Sequence, residues 1–139
     1  MSEAELTVLV VDVDGRTQCE SWTRTAADDG MDGLRHVLGG AVECVTLIEG
    51  VLEMWVLGDG IYLCSTNPFA SAISAELAGT RQPYYGRAVF AGARGTGSLR
   101  SISDDTAAVL TAMVTRLSNR PRNLRALRAV GKVFQDAHM

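Results

Sequence analysis

Tyr84 and Tyr85 stand between Arg81 and Arg87, inside or beside the glycine-bounded segment Gly79–Gly86 (GTRQPYYG). Aromatic faces stack on bases and guanidinium groups take phosphate, so this grouping would suit a nucleotide. The competing reading is the commoner fate of loop tyrosines, in which rings pack inward and hydroxyls find protein partners. The other chemistry-bearing side chains are scattered. Ser71 and Ser74 have no histidine or acid spaced to activate them. His36 and His138 form no ligand set, so no metal is expected, and nothing implies a cofactor. Cys19, Cys44 and Cys64 are odd in number and lack C-x-x-C spacing. They read as reduced thiols packed in a cytoplasmic protein. The Gly-rich stretch over residues 92–97 opens no helix and carries no Gly-Lys-Ser/Thr, so it is neither a dinucleotide fingerprint nor a phosphate loop.

Asp12-Val13-Asp14-Gly15 ends an apolar run, Leu6–Val13 (LTVLVVDV). A strand closing in Asp-x-Asp-Gly resembles the nucleophile motif of haloacid-dehalogenase-type phosphatases, where both carboxylates help hold magnesium. That chemistry also needs a downstream lysine and a following helix. The sole lysine is Lys132, and the next segment, Thr17–Thr25, alternates as a strand. Asp-Gly between two β-prone runs instead predicts a hairpin turn.

The elements that position these residues are organised around Gly39–Cys64, the longest β-favouring run. Turn signals at Glu49-Gly50 and Gly58-Asp59-Gly60 divide it into three expected strands, Val42–Ile48, Val51–Leu57 and Ile61–Cys64. In the middle one Val51, Glu53, Trp55 and Leu57 point one way and Leu52, Met54 and Val56 the other. Both faces are apolar, which predicts a central strand covered on both sides. Glu53 is the misfit: either a carboxylate reaching water at the edge of the core, the reading adopted here, or a ligand contact. Arg87–Ala93 supplies a further strand.

Helices are expected over Asp28–Leu38, stopped by Gly39, over Ser65–Ala78, with Thr66 or Asn67 as cap and Pro68 in the first turn, and over Asp104–Leu117, capped from Ser101. Pro121 interrupts before a last amphipathic helix, Asn123–Ala137. Leu124, Leu127, Val130 and Phe134 form its apolar line, and Arg122, Arg125, Arg128 and Lys132 lie mostly opposite. We expect this helix, with Leu124, Leu127, Arg125 and Arg128, to dock on protein, either its own sheet or a second copy of the chain.

A chain of 139 residues suits one domain, here an α+β core over residues 1–100 with a helical extension over 101–139. No apolar run approaches the ~20 residues of a membrane helix, and the acidic start (Glu3, Glu5) is unlike a secretion signal. Net charge is −3, but residues 1–80 carry thirteen acids against three bases and residues 81–139 three acids against ten bases. Such halves either attract each other or leave a basic arm for nucleic acid.

Taken in order, Leu34-x-x-Val37-Leu38-Gly39-Gly40 with Glu43, then Gly60, Asn67 and Ala70, then Tyr85-Gly86-Arg87-Ala88-Val89-Phe90-x-Gly92 resemble a domain-of-unknown-function family common in bacteriophages and in bacteria carrying mobile elements. The resemblance covers roughly residues 6 to 100. It implies a small accessory protein acting by binding on a host protein or a small signal, and it brings no reaction, cofactor or catalytic residue. The expectation is therefore an α+β fold: a mostly antiparallel sheet of about six strands, helices covering it, and a C-terminal helical pair. The expected function is non-enzymatic binding, counter-defence included, by a homo-oligomer. The candidate ligand residues are Tyr84, Tyr85, Arg81, Arg87, Asn67 and Glu43. The alternative is nucleic-acid binding through the basic C-terminal helix.

Overall fold

In the computed structural model, which describes residues 4–24, 30–94 and 99–139, Asp14-Gly15 is a hairpin turn. Gly15 takes φ 91° and donates its N–H to Asp12 O (3.0 Å), folding β1 (Ala4–Val11) onto β2 (Thr17–Arg24). β3 (Val42–Ile48) and β4 (Leu52–Leu57) form a second antiparallel pair. β5 (Ala88–Gly92) joins the two pairs, placing Leu9 opposite Phe90 and Trp55 opposite Val89. The sheet runs β2-β1-β5-β4-β3, every neighbour antiparallel.

The described sheet has five strands, not six. Ile61–Cys64, expected as a strand, lies instead in and just after a one-turn helix over Gly60–Leu63. The reason is remote: the carbonyls of Ile61 and Cys64 both accept from the Gln135 side-chain amide (2.6 and 3.0 Å), a donor supplied by the C-terminal helix. β4 is covered on both sides as its pattern requires, but the middle position belongs to β5, all of whose residues are buried.

Side-chain alternation divides the core in two. Leu9, Val11, Leu52, Met54, Val56, Ala88 and Phe90 face one side; Leu6, Val8, Val10, Trp55, Val89 and Ala91 face the other. The second side is covered by α1 (Met31–Leu38), which buries Leu34 and Leu38 and ends at Gly39 in the left-handed conformation. The first side carries the remaining helices. With the short Gly60–Leu63 helix as α2, these are α3 (Pro68–Ala78), α4 (Asp104–Ser118) and α5 (Pro121–Ala137). α4 buries Leu110, Met113 and Val114 on this core. Its cap is Ser103, whose hydroxyl accepts from Thr106 N (3.1 Å), rather than Ser101, whose hydroxyl accepts from Thr7 N (2.9 Å). Pro121 opens α5 as its first residue, a position where its missing N–H is not needed. The expected start of α1 at Asp28 lies outside the described residues, as do residues 95–97 of the Gly-rich stretch.

Candidate ligand-binding site

Asn67 is fully buried and ties three segments together. Its Oδ1 accepts from Ala70 N (3.0 Å), capping α3, while Nδ2 donates to Val11 O (3.1 Å) and Gly86 O (2.8 Å). Its backbone carbonyl accepts from Ser71 Oγ (2.8 Å), and that hydroxyl in turn accepts from Tyr84 N (2.9 Å). The polar atoms of Asn67 are thus occupied in holding the strand ends against α3, and they present nothing to a ligand.

Tyr84 and Tyr85 follow from this anchoring. Thr66 bridges to Tyr85, with Asn67 N–H donating to Tyr84 O and Gly86 N–H to Ser65 O, so the tyrosine segment is drawn under α5. Both rings are buried, at 6% and 5% exposure, which closes them as a stacking platform for a base. Tyr85 Oη donates to Gly131 O at 2.6 Å, and burial raises its phenol pKa, with the charge of Asp136 adding a little. Arg87 points elsewhere: its Nε donates to Asp12 Oδ1 (2.8 Å), and this pairing raises the guanidinium pKa. The carboxylate that a phosphatase would use as nucleophile is therefore engaged with an arginine.

Arg81 is exposed and stands at a groove of about 470 Å³ between the segment over residues 79–83 and α5. Ser71, Ala75 and Pro83 line one wall and Leu127 and Val130 the other. Beyond Gln82 and Pro83, which line both, lies a smaller hollow of about 110 Å³. Glu43 stands there with the edges of Tyr84, Tyr85 and Phe134. Of the six candidate ligand residues, the structure thus gathers Arg81, Glu43, Tyr84 and Tyr85 along one seam. Asn67 sits beneath it and Arg87 apart from it.

α5 forms the outer wall because it docks on its own chain. Leu124 is buried in the core, and Leu127 is half-buried. At Gly131 the helix touches Thr66 so closely that a Cβ would overlap its hydroxyl and methyl. Gln135 fastens the next turn to α2. Arg125 stays exposed, whereas Arg128 Nη2 donates to Val13 O (3.3 Å) and Lys132 pairs with Asp136 (3.5 Å). Sequence reasoning overlooked Gly131 and Gln135. The signal available was a glycine in mid-helix, which often marks a close approach.

Among the described residues no group of His, Cys, Asp and Glu could hold a metal ion, and no helix is long and apolar enough to cross a membrane. The domain of unknown function DUF3846 matches residues 6–115. The chain belongs to that family. No curated protein and no solved structure matches it. The DUF3846 match ends inside α4, so the seam has one wall from the family's domain and one, α5, from outside the matched residues.

Proposed function

We propose that this DUF3846 protein is a non-enzymatic binding protein whose ligand, a small anion with an apolar body, lies in the seam between the 79–83 segment and α5. One observation carries the reading: an apolar groove of about 470 Å³ with a single exposed guanidinium, Arg81, at its rim. That volume is within the range of small-molecule sites, and one placed charge on apolar walls orients a ligand without reacting with it. The setting implied by the family resemblance, an accessory protein of a phage-like element acting on a host protein or a small signal, accords with such a binder. The nucleic-acid alternative has less to work with. Arg116, Arg120, Arg122 and Arg125 are exposed, and Arg128 and Lys132, exposed as well, contact Val13 O and Asp136 of the same chain. Four phosphate contacts would give a salt slope of about −3.6, from about −0.9 per contact.

The test is ligand-observed NMR with linear and cyclic nucleotides and medium-chain carboxylates, on the native protein, Val130→Glu and Arg81→Ala. Val130 is 58% exposed, so the substitution puts a bulky like charge in the groove without disturbing the core. Binding that Val130→Glu and Arg81→Ala both weaken at least tenfold is the expected result. Titrations that are flat throughout, or binding indifferent to both substitutions, would overturn the proposal.

A further inference from the structure

On the opposite face of the sheet, Glu53, expected to reach water, is instead the one acid buried within a strand among the described residues, its side chain only 10% exposed. Strand register sets Glu53 two residues from Trp55 on the same face, with Cys44 directly across from Trp55 on β3. Arg94, just past the end of β5, folds back over them. Its guanidinium carbon lies 4.8 Å from the Trp55 ring centroid, and its Nε is 3.4 Å from Glu53 Oε1. This arrangement is incomplete. Glu53 Oε1, Trp55 Nε1 and Arg94 Nε are all buried, and none has a hydrogen-bond partner. Three such atoms at one place are unusual, because buried polar groups are ordinarily paired. The ion pair is close enough for Coulomb attraction yet misaligned for the forked bonding that a free guanidinium makes with a carboxylate. Arg94 is also the outermost member, its side chain 39% exposed.

We propose that the Glu53–Trp55 cradle is a receptor for a guanidinium group of another molecule, with Arg94 as the tethered occupant that such a group displaces. The chemistry selects the ligand class. A carboxylate beside an indole face attracts a flat cation, and the idle indole N–H can donate to an acceptor the ligand carries. A neutral ligand cannot take Arg94's place, because it would leave the Glu53 carboxylate buried without a countercharge. Cys44 stays a neutral thiol at the cradle wall. Burial first, and the Glu53 charge second, push its pKa up to about 11.

The test follows the Trp55 indole N–H resonance, assigned with Trp22→Phe, as the native protein and Arg94→Ala are titrated with methylguanidinium, N-acetyl-arginine methylamide, free arginine and urea. Arg94→Ala should bind the three cations and not urea. The native protein should bind them about tenfold or more weakly, since its cradle is occupied for most of the time. Glu53→Gln should abolish binding in both. Tighter binding of the capped arginine than of free arginine would place the group on a polypeptide, and the reverse order would place it on a small molecule. Should Arg94→Ala fail to fold on its own, its thermal midpoint should be restored by methylguanidinium and not by equal urea. An unmoved indole resonance in folded Arg94→Ala, no selective rescue in an unfolded one, or binding that survives Glu53→Gln would overturn the proposal.

Discussion

Asn67 carries more of the architecture than any other polar residue described, because one amide caps α3 and satisfies two carbonyls from different strand ends. Asn67→Ala should cost about 2–4 kcal/mol in chemical denaturation, since it removes a cap and leaves buried carbonyls unpaired. Asn67→Asp should be no better, because it keeps the cap acceptor but turns an oxygen toward Val11 O and Gly86 O. Trp55 is 3% exposed, and Trp55→Ala should cost about 3–5 kcal/mol, the scale for aromatic truncation in a core. An unchanged thermal midpoint in either variant would contradict the packing described. Alkaline pH offers a finer probe. Cys44 has its pKa raised from 9.0 to about 11, and Tyr85 is raised from 10.0, so the unfolded chain loses these protons first. The stability they contribute is complete below about pH 9 and falls as pH climbs through the folded values. Cys44→Ala should flatten the decline between pH 9 and 11, and an identical pH profile would show that the thiol is not sheltered as described.

Among the elements, α5 decides most. A glycine at an exposed mid-helix position normally gains about 1 kcal/mol when replaced by alanine. Gly131→Ala should do the reverse and destabilise by about 1–3 kcal/mol, because the new methyl meets Thr66. Thr66→Ala in the same chain should recover most of that loss, and the double-mutant cycle would show coupling between these two positions. Additive effects would mean that the helix does not cross there. The same crossing explains α2. Ile61 and Tyr62 are β-prone by type, yet the carbonyls of Ile61 and Cys64 are claimed by the Gln135 amide, and the turn follows that donor rather than the propensity.

For the whole molecule, the C-terminal helix is part of the folded body. Cutting the chain after Arg120 would uncover Tyr85, Thr66 and the core around Leu124 together. The expected outcome is a markedly lower thermal midpoint and loss of any seam ligand; a shortened protein as stable as the full chain would refute the docking. The acid-rich first 80 residues and the basic remainder meet within one chain, at Asp12–Arg87 and Glu53–Arg94. Much of this was legible beforehand. The apolar run of β1, the alternation in β2 and the two apolar faces of β4 determined those strands, Asp14-Gly15 the hairpin, Gly39 and Pro68 the helix limits, because each depends on residues within a turn or two of one another. Tertiary structure alone decided that β5 sits between β1 and β4, that Tyr84 and Tyr85 turn inward, that α5 closes a seam over them, and that Arg94 lies on Trp55. Those outcomes compare alternative partners far apart in the chain. Several apolar strands could have paired with β1, and only the combined burial of both sheet faces selects one arrangement.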